Sequence, residues 1–258
     1  MLKFTFLGTC SGTEPMPSRH HSSIVLEVGD KAYVFDAGEN CSHTMYTSGI
    51  DVTRIRSVFI SHMHIDHIGG LANLIFTLYK IAGRGAPPHV NNGEYDVFVP
   101  DTEMLEHVLA IGCGYRSPSS VKVKPIPHEV RDGLLYDDGN IRVSAIHNTH
   151  LREDGSRGWH AYSYLIEAEE RRVVFSGDVG CPEELDPFVC DGCDLLIMET
   201  GHHAVSSVLD YATSRGVPRL LFTHHGREIL GDPEAALRLI AERGVNARIC
   251  NDGDSEIV

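Results

Sequence analysis

The chain has 258 residues, 42% of them hydrophobic, and its formal net charge is −14 at pH 7. This length can bury one sizeable core, and no low-complexity or linker-like tract divides the chain, so we predict a single domain over residues 1–258. A chain this acidic lacks the basic footprint of most nucleic-acid binders, which makes nucleic acid an unfavoured partner and favours a small-molecule substrate.

The predicted elements alternate between strands and helices. In the first half they are strands at 2–7, 23–28 and 31–36, a helix at 41–47, a strand at 57–61, a helix at 69–81, a strand at 95–99 and a helix at 101–111. In the second half they are strands near 121–125, 141–147, 161–167, 172–176, 194–199, 219–223 and 247–250, with helices near 204–214 and 233–243. Residues 82–93 are predicted as a turn-rich loop, and Asp101 and Asp232 as helix N-caps. This order predicts an α/β fold.

The densest functional signal is the segment 62–67, His-Met-His-Ile-Asp-His, which follows an apolar, strand-like run. In an extended segment His62, His64 and Asp66 would lie on one face, and a turn after Asp66 would bring His67 to them. Imidazole and carboxylate ligands together suit zinc, iron or manganese better than a soft thiolate-bound metal. The segment therefore predicts a metal site.

The pattern His-x-His-x-Asp-His after a hydrophobic strand resembles the signature of the metallo-β-lactamase superfamily. In that superfamily the motif supplies four ligands, and later strand ends supply a histidine, a bridging aspartate and a last histidine. The resemblance implies that His150, Asp178 and His224 have these roles here, since each follows a strand-like run. It also implies an αββα sandwich with a dinuclear metal site at one edge of the sheets.

Two of these assignments have neighbouring alternatives. His147 competes with His150, but the superfamily pattern places the ligand seven residues after the valine matched by Val143, which selects His150. His225 competes with His224, but the pattern apolar-x-Thr-His selects His224. His225 is then expected to support a ligand or to face the substrate.

The start of the chain narrows the resemblance. The segments 4–12 (Phe-Thr-Phe-Leu-Gly-Thr-Cys-Ser-Gly), 19–23 (Arg-His-His-Ser-Ser) and 34–39 (Val-Phe-Asp-Ala-Gly-Glu) are similar to the ribonuclease Z-like branch. That branch holds the tRNA 3′-end-processing endonuclease and smaller phosphodiesterases. The tRNA enzymes commonly insert a long Gly/Pro-rich arm between the ligands matched by His150 and Asp178, and this chain has only a short segment there.

Further candidates surround the ligand set. Asp36 is a candidate acceptor for the ring N–H of a ligand histidine, and a simple turn carboxylate is the alternative. Glu199 and His202 match an acid-x-x-His order that resembles the smaller phosphodiesterases, so His202 is the candidate proton donor, with His203 the close alternative. Trp159 is the only tryptophan and a candidate floor of the substrate pocket, with a solvated loop as the alternative.

Cysteine usage and the ends of the chain add three expectations. The seven cysteines are odd in number and irregularly spaced, which argues against a disulfide framework. Cys190 and Cys193 have C-x-x-C spacing, but no fourth ligand is evident, so we predict no zinc site there. With no signal-peptide pattern and no membrane-length apolar run, we expect a cytoplasmic protein without a membrane partner and leave a homodimer open.

The resulting prediction is a metal-dependent hydrolase of a small substrate, first of all a phosphodiesterase. The resemblance implies two divalent metals, zinc first and manganese or iron as alternatives, that activate a bridging water. The predicted catalytic residues are Asp66 and His202. The alternatives are an endoribonuclease of the tRNA 3′-processing type, a lactone or thioester hydrolase on the same fold and, least favoured, a metal-binding protein without hydrolytic activity.

Overall fold

In the part of the chain that the structure describes, two seven-stranded β-sheets form the centre of the fold. The structure, a computed structural model, describes residues 1–12, 16–84, 93–114, 123–151 and 159–258. The strands of the first sheet are β1 (Leu2–Gly8), β2 (Ser23–Val28), β3 (Lys31–Ala37), β4 (Ile55–Phe59), β5 (Glu94–Val99), β6 (Lys124–Glu129) and β14 (Ser255–Ile257). Those of the second are β7 (Gly133–Asp137), β8 (Arg142–His147), β9 (Tyr162–Ala168), β10 (Arg171–Phe175), β11 (Leu195–Thr200), β12 (Leu220–His225) and β13 (Ala247–Ile249).

The helices cover the outer faces of the two sheets. They are α1 (Cys41–Thr47), α2 (Ile65–Ile68), α3 (Leu71–Gly83), α4 (Thr102–Gly112), α5 (Asp186–Val189), α6 (Val205–Ser214), α7 (Arg227–Gly231) and α8 (Pro233–Arg243), with 3₁₀ turns at Val52–Arg54 and Pro182–Leu185. Both predicted N-caps are present: the carboxylate of Asp101 accepts from Met104 N–H at 2.9 Å, and that of Asp232 accepts from Ala235 N–H at 2.9 Å. No helix in the described segments is both long and apolar enough to cross a bilayer.

The core has three layers of apolar side chains, because most central strands are buried on both faces. In β4, Val58 packs with α1, α3 and α4, whereas Phe59 points between the sheets. There Phe59 stacks on Phe35 and on Phe98, with ring centroids 5.0 and 4.9 Å apart. In β11, Leu196 packs with α6 and α8 on the far side. The order is helix, sheet, sheet, helix, which confirms the predicted αββα sandwich.

The strand order places the strand ends that carry site residues at one edge. The first sheet runs β14-β1-β2-β3-β4-β5-β6, and the second runs β13-β12-β11-β10-β9-β8-β7. Strands β10, β11 and β12 are parallel neighbours, as are β3, β4 and β5. Their carboxyl ends therefore open on the same side of each sheet, where α/β folds place their ligands.

Several predicted boundaries differ from the structure, and two strands of the described segments were not predicted. The strand near 121–125 is β6 at 124–129, with residues 121 and 122 outside the described segments. Its Pro125 and Pro127 argue against a strand, but β6 is at a sheet edge, where missing N–H donors are tolerated. The helix expected at 69–81 begins at Leu71 and continues into the predicted loop 82–93, of which residues 85–92 lie outside the described segments. Strands β7 and β14, also at edges, lacked a clear alternating pattern.

Candidate metal centre

The six-residue motif lies between β4 and α3. His62 continues the extended chain and bridges to Ala161 of the second half. The extended conformation ends at His64, which precedes α2, so Asp66 and His67 lie on one turn of helix. The expectation of an extended segment up to Asp66 is therefore wrong. The His64 carbonyl accepts from the N–H of His67 at 3.0 Å, and this turn directs both later side chains to the same space.

The other three ligand candidates come from the second sheet. His150 follows β8, Asp178 follows β10, and His224 is near the end of β12. In β12, Thr223 pairs with Glu199 and His225 with Thr200, so His224 is an extra residue in a bulge. His224 also has a left-handed backbone conformation with φ 48°, which non-glycine residues adopt at a cost. Such bulges redirect a side chain near a site.

One side of the centre consists of three histidines. His62 Nε2 lies 2.9 Å from His64 Nδ1, and His150 Nε2 lies 3.4 Å from the same atom. The three nitrogens are close enough for one metal ion. His62 is fully buried, and burial together with the neighbouring His67 lowers its pKa well below the usual value. A neutral imidazole is the form that binds a metal.

The other side combines Asp66, His67 and His224. His224 Nε2 lies 3.2 Å from His67 Nε2 and 3.2 Å from Asp66 Oδ2. Burial disfavours a charged Asp66, but hydrogen bonds from His224 and His67 override it and hold the pKa of this carboxyl far below its usual range. Asp66 is therefore an anionic ligand candidate at neutral pH.

Asp178 lies between the two sides. Its Oδ2 is 3.8 Å from His62 Nε2, 3.7 Å from His150 Nε2 and 3.4 Å from His67 Nε2. Its Oδ1 faces His224 Nδ1 at 3.3 Å. Complete burial would favour the neutral acid, but the surrounding histidines, His224 and His67 above all, hold its pKa well below the usual value. The structure thus brings the seven predicted ligand residues together around one carboxylate.

The donor atoms of this cluster fit divalent metal ions. Asp36 Oδ2 accepts from His67 Nδ1–H at 2.7 Å, so the lone pair of a neutral His67 is on Nε2. This Nε2 faces the carboxylates of Asp66 at 3.5 Å and Asp178 at 3.4 Å. Burial lowers the pKa of His67, but the carboxylates of Asp178 and Asp36 override it and raise the pKa well above its usual value. The carboxylates therefore favour a positive charge at this ring, either a proton or a metal ion. Asp178 Oδ1 and His224 Nδ1 are also buried without a hydrogen-bond partner in this structure. A metal ion bound by Asp178 Oδ1 would satisfy that oxygen.

Asp36 fixes the ligand motif through hydrogen bonds. It is fully buried, and its Oδ1 accepts from the backbone N–H of Ser61 at 2.7 Å. Its Oδ2 accepts from the Ser61 hydroxyl at 2.9 Å, in addition to His67. The carboxylate therefore fixes the ring orientation of His67, as the sequence suggested for one of the ligand histidines. Ser61, which has no marked sequence pattern, was missed.

His202 and His203 have different surroundings. His202 Nδ1 lies 3.1 and 3.2 Å from the two oxygens of Glu199, and its side chain is 43% exposed at the pocket. The hydrogen bond with Glu199 is the main cause that raises the pKa of His202. The ring of His203 turns away, and its Nε2 donates to the Val179 carbonyl at 3.0 Å. The structure thus places His202, rather than His203, beside Asp178, with Nδ1 at 3.6 Å.

Three other candidates lie outside the pocket. His225 is buried, its Nε2 donates to the Cys250 carbonyl at 2.8 Å, and burial lowers its pKa to about 3. Its ring bonds Thr200 and Cys250 rather than a ligand residue, and it is not among the described residues that line the pocket, contrary to expectation. His147 donates to Asp132 at 2.7 Å. Trp159 stacks on His147 at 3.9 Å and packs against the core between the sheets, and it is not among the described residues that line the pocket.

A cavity of about 340 Å³ opens over the cluster. Its described lining consists of Ser11, Gly12, His64, Ile65, Asp66, Asp178, Gly201, His202 and His224. A side chain at Gly12 would place Cβ 2.7 Å from Asp66 Cγ, so a glycine is needed where the first loop meets the ligands. Ile65 is 73% exposed at this opening and was not singled out from the sequence.

The cysteines take no part in the centre. No disulfide joins the seven cysteines, all of which lie in described segments. The groups of described residues that are close enough to hold a metal contain only His, Asp and Glu side chains. That Cys190 and Cys193 do not form a zinc site stays a prediction.

Solved structures place this fold in a known class. The chain superposes on the metallo-β-lactamase fold protein YhfI of Bacillus subtilis with a TM-score of 0.76 and 18% identity, over 99% of this chain and 98% of that one. It superposes on the short form of human tRNase Z with a TM-score of 0.74 and 19% identity, over 99% and 98%. A diphosphatase of the PhnP family gives 0.71 and 16% identity, over 100% and 98%. The fold is thus that of the metallo-β-lactamase superfamily, as predicted.

Sequence comparison identifies the family. Residues 2–208 match the family described as Anti-Pycsar protein Apyc1, and the chain belongs to that family. It is also 27% identical over 279 aligned residues to the ribonuclease Z of Methanothermobacter thermautotrophicus, covering 87% of this chain and 86% of that protein. Against the ribonuclease Z of Crocosphaera subtropica it is 32% identical over 179 residues, but the match spans only about half of that relative, 51%. The predicted likeness to the ribonuclease Z-like branch is confirmed.

Proposed function

We propose that this protein is a metal-dependent hydrolase with two divalent metals, and that its substrate is a small phosphodiester. The observation that carries the proposal is the position of Asp178 between two ligand groups. One group is His62, His64 and His150, and the other is Asp66, His67 and His224. A carboxylate shared in this way is the hallmark of a dinuclear site.

The bound metals would polarise the phosphoryl oxygen and lower the pKa of a coordinated water to about 7. The protein contributes orientation and proton transfer. Asp36 holds the ring of His67, so that its Nε2 faces the centre. Asp66 supplies a negative charge beside His224, and the absence of a side chain at Gly12 leaves room for that carboxylate.

His202 is the proposed proton donor to the leaving group. Glu199 holds Nδ1 of this ring, which leaves Nε2 free to reach the cavity. The same carboxylate accepts the backbone N–H of His202 at 2.9 Å, so the main chain and the ring are fixed together. An alkoxide leaving group needs such an acid, because the attacking water does not protonate it.

The size and charge of the pocket support a small substrate. A volume of about 340 Å³ is at the small end of the range for ligand pockets, and the net charge of −14 opposes attraction of a long polyanion. The likeness to a PhnP-family diphosphatase is consistent with phosphoester chemistry. Zinc is the first candidate metal because imidazole and carboxylate donors suit it, with manganese and iron as alternatives.

The second candidate is endoribonuclease activity of the tRNA-processing kind. It is favoured by the 27% identity with a ribonuclease Z across 87% of this chain. Lactone or thioester hydrolysis needs the same metals and is a third outcome to be tested. The cytoplasmic location, the single domain and a possible homodimer stay predictions from the sequence.

One experiment separates these functions. The purified chain is stripped, reloaded with zinc or manganese, analysed for metal content, and assayed on alkyl and nitrophenyl phosphodiesters, cyclic phosphates, a lactone, a thioester and a precursor tRNA. We expect about two metals per chain and turnover of small phosphodiesters. Preferred cleavage of the tRNA, lactone or thioester would refute the substrate class. Metal content well below two would refute the dinuclear centre.

A further inference from the structure

One carboxylate outside the proposed ligand set connects two loops that carry ligands. Glu184 belongs to the 3₁₀ turn Pro182–Leu185. Its Oε1 accepts hydrogen bonds from the backbone N–H of Thr149 at 3.1 Å and from the Thr149 hydroxyl at 2.5 Å. Its Oε2 accepts from the backbone N–H of Gly180 at 2.9 Å and of Cys181 at 3.4 Å. Each oxygen of Glu184 thus binds a different loop.

These loops touch directly beside the centre. A Cβ added to Gly180 would lie 2.1 Å from Thr149 Oγ1, so the contact requires a glycine. Thr149 immediately precedes His150, and Gly180 is two residues after Asp178. His150 Nε2 lies 3.7 Å from Asp178 Oδ2. Because so few bonds separate each contact from its ligand, the spacing of the loops controls the spacing of His150 and Asp178.

We propose that Glu184 is a positioning residue of the metal centre. It holds His150 at the correct distance from Asp178 and thereby raises the affinity for the metal on the side of His62 and His64. This inference rests on the proposed function, since it requires that these residues bind metal. Outer hydrogen bonds that orient ligands are typically worth about 10- to 100-fold in metal affinity.

A purely structural role makes a different prediction. Glu184 also accepts N–H groups at the start of its own 3₁₀ turn, and a capping role alone would affect the stability of that turn. Loss of a cap lowers the melting temperature of the metal-free protein but leaves the metal affinity of the folded protein unchanged. The contact with Thr149 is the part that links the turn to the centre, so variants on both sides of this contact are informative.

The test compares Glu184→Gln and Thr149→Val with a matched control, Glu183→Gln. A glutamine offers one acceptor oxygen in place of two, and valine keeps the shape of threonine without its hydroxyl. Glu183 is the exposed neighbour on the same turn and bonds neither loop backbone among the described contacts. Zinc affinities of the two sites are measured on the full-length chain by chelator competition, and the melting temperature of the metal-free chain by circular dichroism.

We expect one of the two zinc affinities to fall about tenfold or more in Glu184→Gln and in Thr149→Val, and neither to change in Glu183→Gln. The double variant should lose little more than the larger single loss, because both changes break the same link. Wild-type-like affinities in Glu184→Gln, or equal losses at both sites with a lower melting temperature, would overturn the role of Glu184. A wild-type chain that fails to bind two zinc ions would instead refute the proposed function.

Discussion

Replacing His202 with alanine should separate proton donation from metal binding. The side chain is 43% exposed, so its removal leaves no sealed cavity in the core. Its ring is hydrogen-bonded to Glu199 and is not one of the seven proposed ligands, and its Nδ1 is 3.6 Å from the Asp178 carboxylate. The variant is therefore expected to fold and to retain both metals.

The size of the effect follows from the role of the ring. General-acid catalysis is typically worth about 10²- to 10⁴-fold, which corresponds to about 3 to 5 kcal/mol in the barrier. An alkyl phosphodiester leaves as a strongly basic alkoxide, so His202→Ala should slow its hydrolysis by that amount. A nitrophenyl leaving group is weakly basic and needs little protonation, so His202→Ala should slow hydrolysis of the nitrophenyl diester by less than about tenfold.

The assay measures kcat/KM for both substrates in the wild type, His202→Ala and His203→Ala, with metal content determined on the same samples. His203 is the matched control because its Nε2 is engaged by the Val179 carbonyl. His203→Ala should lower kcat/KM for both substrates equally, and only because the folded protein is less stable. Equal losses on the two substrates in His202→Ala would refute proton donation by this ring. A leaving-group-dependent loss in His203→Ala would transfer the role to that residue.

Three further predictions test the centre, the substrate class and the fold. Asp178→Ala should lose both metals together, because the carboxylate lies between the two ligand groups; elemental analysis that shows loss of one metal alone would contradict the shared position. Precursor tRNA should not be processed efficiently at physiological salt, given the net charge of −14, and specific trailer removal in a gel assay would overturn this. Burial opposes the charged form of Asp138, but hydrogen bonds from Lys31 and Tyr33 hold its pKa below the usual value. The charged Asp138 therefore stabilises the folded protein above the unfolded-state pKa of about 4. This stabilisation is lost as pH falls through the lower pKa of Asp138 in the folded protein. Asp138→Asn should cost about 1–3 kcal/mol in urea unfolding at pH 7 and less at low pH, and a pH-independent cost would contradict the charge-based explanation.

The sequence by itself determined most of the fold and the identity of the ligand candidates. Buried strands such as β4 and β11 are short apolar runs, and helices such as α8 begin at a capping aspartate, so local patterns are sufficient. The ligand motif is equally local, since its residues are adjacent in the chain. Edge strands were harder to predict, because β6 contains two prolines that only an edge position tolerates.

Tertiary structure decided which of two neighbouring histidines reaches the centre. His147 and His150 are both plausible from the chain, but His147 is held by Asp132 and stacked on Trp159. His224 faces the centre because a bulge in β12 redirects its side chain, whereas His225 remains in the core. Hydrogen bonds between distant segments set these orientations, which therefore cannot be inferred from the spacing of residues along the chain.

The link through Glu184 likewise could not be predicted from the sequence. Glu184 and Thr149 are 35 positions apart, and neither has a sequence pattern that marks a site. Their contact exists only because β8 and β10 both pair with β9, which brings the loops after β8 and β10 to the same edge of the sheet. The sequence specifies which residue types are available to bind metal. The packing of the two sheets fixes the distances between them, because these distances depend on strand order and loop contacts rather than on local conformation.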